Sequence, residues 1–253
     1  MLSRLHRCFA SVVYVAAAFD GPLRAASDPQ AVELAHSVME HMGGQEAWNA
    51  TRFVQWKFFG RRQHHWDRHT GDVRIHQPAG QRPDGTPVED VLVLMNVHSK
   101  KGRVWKSGSE VLDTAEREAG LERGHEWWVN DSYWMFMPFK LVDPGVKLRY
   151  VGSRSLPDGR SGEVLELTFE PGIGYTPENR YEVWVSGDTG LIEQWSFYAE
   201  AGDAEPQFTL PWAEWKEFGA IRLATRHLEQ GADEADWEIA VPSDVPRSLF
   251  ERP

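Results

Sequence analysis

The chain has 253 residues, a formal net charge of −11, 12 Trp and one Cys. A chain of this length can bury enough apolar surface to fold without a disulfide framework. Its acidic balance argues against a nucleic-acid backbone as partner, which requires clustered Lys and Arg, and no apolar run reaches the about 20 residues needed to span a bilayer as a helix.

The N-terminus reads as an export signal. Arg4, His6 and Arg7 precede an apolar stretch over residues 9–19, and small residues at Ala25 and Ala26 offer a cleavage site. Residues 1–26 are therefore expected to be removed, taking Cys8 with them, and residues 27–253 to form one domain. The chain is therefore expected to be exported.

Residues 30–42 form the first expected helix, with Val32, Ala35, Val38, Met39 and Met42 at helical spacing. Asp28 before Pro29 suits a helix N-cap followed by Pro at the first helical position. Strand signals then begin. Val54, Trp56 and Phe58 alternate with Gln55 and Lys57, residues 69–72 form a turn, and residues 91–95 are a fully apolar strand. Residues 78–88 read as an exposed loop from their Pro and Gly content.

The β pattern breaks in mid-chain. Residues 109–119 are helical by composition, and residues 125–139 contain Trp127, Trp128, Tyr133, Trp134, Phe136 and Phe139 together with Met135 and Met137. As a helix this stretch is apolar nearly all round in its second half, so it does not lie simply on a wet surface. Mixed Trp and Met suit an adaptable apolar ligand surface. Trp56, Phe58, Trp127, Trp128, Tyr133, Trp134, Phe136, Met137 and Phe139 are accordingly the expected lining or cover of a cavity for an apolar ligand. Asn130, Asp131 and Lys140 are expected at its rim. From residue 147 onward, short alternating strands with Gly and Pro turns continue to residue 241, and Pro211 marks an edge strand or bulge.

Motifs for catalysis are sparse. GxSxG is absent, and Gly172-Ile173-Gly174 lacks the third glycine and following helix of a phosphate-binding loop. His65, Asp67 and His69 would share a strand face, but the turn at 70–71 follows too closely for a rigid three-ligand set. No metal, cofactor or catalytic residue is expected. An enzyme or metal-binding protein using residues 64–69 is the first alternative to a binding protein, and a sensor or assembly module that docks another envelope protein is the second.

The hairpin YEVWVSGDTGLIEQWSFY over residues 181–198 resembles a recurrent element of the LolA-like superfamily, the outer-membrane lipoprotein carriers and their relatives. Asp188, Thr189 and Gly190 match its turn. WDRHTGDVRI (66–75) and NDSYWMFMPFKLVDPGV (130–146) resemble an uncharacterised bacterial branch of the same superfamily. The resemblance implies a mainly antiparallel, incomplete and strongly curved β-barrel, with an N-terminal helix in its concave side and a mid-chain helical lid. It also implies a non-catalytic protein of a bacterial periplasm or cell envelope that binds a lipid, or the acyl chain of a lipoprotein; a monomer that can touch a membrane or an envelope protein peripherally is expected. In the carriers an arginine gates the cavity. Arg52, Arg61 and Arg62 are the candidates by their early-strand position.

Overall fold

The computed structural model describes residues 27–82, 84–228 and 237–253. The expected export signal and Cys8 lie outside the described residues.

Helix α1 (Pro29–His41) starts where Asp28 caps it, the carboxylate accepting from the Gln30 N–H at 3.0 Å. A short helix α2 (Gly44–Ala50) follows and carries Trp48. The chain then builds a first antiparallel sheet from β1 (Phe53–Phe58), β2 (Arg62–Asp67) and β3 (Asp72–Gln77). After a small exposed ladder of β4 (Gly80–Gln81) with β5 (Pro87–Val88), it continues with β6 (Val91–Asn96), β7 (Lys101–Lys106) and β8 (Ser109–Glu110). The strand order is β1-β2-β3-β6-β7-β8. The outer side of β1 is met by the chain near its C-terminal end, where Gln55 and Ala240 exchange both backbone hydrogen bonds.

The second sheet contains β9 (Val146–Ser155), β10 (Ser161–Phe169), β11 (Arg180–Ser186), β12 (Ile192–Tyr198) and β13 (Phe208–Pro211), in the order β13-β12-β11-β10-β9. Pro211 ends the edge strand β13, where a missing N–H does least harm. Register shifts at Val164/Leu165 and Trp184/Val185 mark bulges, which bend a strand and increase its twist. A separate hairpin, β14 (Ala213–Phe218) with β15 (Ile221–Arg226), follows. The architecture is mainly antiparallel β with few helices, and no barrel closes among the described residues. The curved sheet expected from the resemblance is divided into two hydrogen-bonded sheets.

One apolar cluster joins these parts. It takes Ala35, Val38 and Met39 from α1, Val54 and Trp56 from β1, and Leu165, Leu167, Val183 and Trp195 from the second sheet. The alternation of Leu165, Leu167 and Phe169 inward with Glu166 and Thr168 outward follows from the two-residue period of a strand. In the turn between β11 and β12, Gly190 has φ +68°, and an added Cβ would lie 2.5 Å from the His41 ring. The position therefore needs glycine for both backbone and space.

The mid-chain region differs from expectation. Residues 109–110 extend the first sheet as β8, pairing Trp105 with Glu110, and the helix begins only after Asp113. The Asp113 carboxylate caps it by accepting from the Glu116 N–H at 2.9 Å. Helix α3 (Thr114–Phe136) then runs unbroken through Gly120 and Gly124. A Cβ at Gly124 would lie 2.8 Å from Val93 Cγ1, and one at Gly120 would lie 3.0 Å from the Val104 methyls. These glycines let the helix backbone approach β6 and β7. The N-terminal half of α3 thus covers the first sheet, with Leu121 packed among Val73, Val93 and Val104. Its C-terminal half enters the shared core, and a short 3-10 segment, Met137–Lys140, follows with Met137 and Phe139 still in that core.

Candidate functional site

The end of α3 is wedged among aromatic rings from both sheets. Phe136 is 5.2 Å edge-on from Trp56 and 5.4 Å from Trp48, and Phe139 stacks on Trp48 at 4.3 Å. Trp134 meets Trp195 edge-on at 4.4 Å, and also packs against Phe58 and Phe208. Tyr133 lies 5.4 Å from Tyr181, which stacks on Trp195 at the same centroid distance. Trp128 sits edge-on to Trp66 at 5.1 Å. Trp127 is half-buried at one side, with the Arg62 guanidinium 4.6 Å above its ring. Trp56, Phe136 and Met137 are almost wholly buried. The sequence-nominated residues therefore gather in and around one aromatic interior, filled by their own side chains. A separate hollow of about 390 Å³ lies outside it, between the end of α1 and the β14–β15 turn, and is lined by polar groups including Glu40, His41 and Arg222.

A buried polar tie crosses the seam between β2 and α3. Arg62, His64 and Trp66 alternate along β2. Arg62 Nε and Nη2 donate to the Asp131 carboxylate at 2.6 and 3.1 Å, and His64 Nε2 lies 2.6 Å from Asp131 Oδ2. The Asn130 amide donates to Asp131 Oδ1 at 2.9 Å. Asp131 and His64 are fully buried. Asp131 is thus not the rim residue expected from its polarity. The helix turns it toward β2, where a guanidinium fork satisfies it. Arg62 is the early-strand arginine that reaches the mid-chain helix, whereas Arg52 pairs with Asp67 at 2.8 Å.

The charges sort by environment. Burial, the largest influence on Asp131, would raise its carboxyl, but Arg62 and His64 together outweigh it and hold the group below the ordinary carboxylate value. Burial pushes the His64 imidazole down against the pull of Asp131. These directions favour an ionised Asp131 beside a histidine held toward its neutral form. An ionised carboxylate only accepts, so His64 Nε2 carries the proton. The His64 ring stacks on Trp56 at 4.4 Å.

The other face of β2 carries His65 and Asp67. Asp67 is engaged by Arg52 and by the His69 N–H, His69 Nε2 reaches the Asn49 carbonyl at 3.0 Å, and burial lowers His65 to about 4. Among the described residues no group of three or more His, Cys, Asp or Glu is arranged to hold a metal ion. Sequence reasoning missed the partnership of Arg62 and His64 with Asp131. The available signal was the alternation of Arg62, His64 and Trp66, the face of β2 opposite to the one considered.

No family model matches the chain, and no curated protein matches it. Among solved structures, a DUF1329 family protein from Desulfovibrio piger is 13% identical, with a TM-score of 0.44 over 88% of this chain and 98% of its own. A LolA superfamily protein from Nitrosomonas europaea is 12% identical, with a TM-score of 0.40 over 85% of this chain and 96% of its own. The open arrangement of antiparallel strands with few helices stands on the strand order of this chain itself.

Proposed function

We propose that this is an exported, non-catalytic envelope protein that takes the acyl chain of a lipid or lipidated partner into the aromatic seam between its two sheets. The observation that carries this reading is the C-terminal half of α3. A run of Trp, Tyr, Phe and Met is wedged between separate sheets and tied to β2 by one buried ion pair, Arg62–Asp131. Such side chains repack readily around an apolar guest. Release of the ion pair would let α3 swing from β2, which gives Arg62 the gating role implied by the resemblance to the carriers. Trp56, Phe58, Trp127, Trp128, Tyr133, Trp134, Phe136, Met137 and Phe139 would then line the opened seam.

Titration with a pyrene-labelled acylglycerol, followed by tryptophan emission, tests the reading. Saturable quenching is expected for the wild type. Trp134→Ala removes a ring that touches both sheets and is expected to weaken binding by about tenfold. If neither protein binds the probe, the seam is only core. The closed packing of the interior favours one second reading, a sensor that docks another envelope protein on its outer surface. Failure of every acyl probe would favour that reading.

A further inference from the structure

The seam is apolar in shape but not in chemistry. Trp56 Nε1, Trp195 Nε1 and Tyr133 Oη are buried and reach no hydrogen-bond partner among the described residues. Trp66, Trp128 and Trp212 carry unpaired buried indole N–H groups as well, whereas Trp215, on the neighbouring hairpin, donates its N–H to the Ile192 carbonyl at 2.9 Å. Native proteins pair the large majority of buried polar groups. Phenylalanine would fill much of the same space without an unpaired group. Tryptophan and tyrosine at six such positions are thus a cost that packing does not explain.

Three of these groups are placed where a guest would pass. Trp195 and Tyr133 each lie 5.4 Å from the Tyr181 ring. Trp134, from the wedged part of α3, touches Trp195 directly. Trp56 faces the seam from the first sheet through Phe136. Each of the three can donate a hydrogen bond. The matching guest is one that brings an acceptor. A carboxylate fits poorly, because an unpaired charge is expensive to bury. A neutral carbonyl oxygen at the head of an acyl chain meets both conditions.

Resting on the acyl-binding reading above, we propose that the seam selects acyl chains with an ester or amide carbonyl, received by the Trp195 indole N–H and the Tyr133 hydroxyl, over alkyl chains that lack one. The test is displacement of the pyrene-labelled acylglycerol by 1-palmitoylglycerol and by its ether analogue 1-O-hexadecylglycerol, which keeps the glycerol headgroup and lacks the carbonyl. In the wild type the ester is expected to displace about tenfold better than the ether, the scale of one well-made hydrogen bond. Trp195→Phe and Tyr133→Phe should each compress that ratio. Tyr133→Phe removes a single oxygen and keeps the ring, so it remains informative if Trp195→Phe folds poorly. Equal displacement by ester and ether in the wild type, or a ratio that survives both substitutions, overturns the carbonyl selection while acyl binding stands. If neither compound displaces the probe and the probe itself does not bind, the acyl-binding reading fails and this inference falls with it.

Discussion

Replacing Asp131 by alanine is expected to cost about 3–5 kcal/mol of folding stability, measured by urea denaturation at neutral pH. The loss arises from what is left behind. The Arg62 side chain is only 14% exposed, and without Asp131 its charge faces the rings of Trp127 and Phe58 with no counter-ion at the seam. His64 loses the acceptor of its Nε2 proton while staying buried. The same reasoning sets the control. Removing both charges together, as Arg62→Met with Asp131→Leu, should recover most of the loss, because the desolvation cost of the pair disappears with the pair. A loss below about 1 kcal/mol for Asp131→Ala would mean that the tie behaves as an exposed ion pair.

Acidification is expected to destabilise the protein steeply below about pH 6.5, the ordinary histidine value. Burial, as the largest cause, lowers four histidines, with His65 at about 4, His227 at about 3, and His64 and His125 depressed as well. A histidine that stays neutral when folded but takes a proton when unfolded removes stability as pH falls. The loss begins at the unfolded value and continues to the folded one. Each such group contributes up to about 1.4 kcal/mol per pH unit in that window. Asp131 acts in the same direction at lower pH, since its depressed folded value supplies stability above the unfolded value that is lost in acid. Urea midpoints measured from about pH 7 to pH 4.5 should therefore fall throughout the acid range, and His65→Gln should flatten the slope by up to one proton. A midpoint that stays constant down to about pH 5 would show that these imidazoles are solvated.

Much of the fold is legible along the chain because its signals are local. Asp28 before Pro29 starts α1, the period-two pattern of Leu165, Leu167 and Phe169 gives β10, and Pro211 falls on an edge strand. The places where reading fails depend on contacts distant in sequence. Residues 109–110 look helical by composition, but cross-strand pairing with Trp105 and Lys106 makes them β8. Gly120 and Gly124 carry no local sign of their role, because the close approach of Val104 and Val93 is what requires them. Asp131 looks like a rim residue because a lone carboxylate belongs in water. Its partners sit 67 and 69 residues earlier, on a strand whose facing is set by the whole sheet. The division into two sheets also lacks a local signal, since each strand is well formed by itself.

The central claim, that the aromatic seam holds an acyl chain, is tested most directly by mass spectrometry of organic extracts from the protein purified from its native cells. The account predicts a co-purifying acyl lipid that carries an ester or amide carbonyl, in near-stoichiometric amount and depleted in protein carrying Trp134→Ala. Extracts of the wild type no richer in lipid than those of an unrelated envelope protein purified alongside would contradict it.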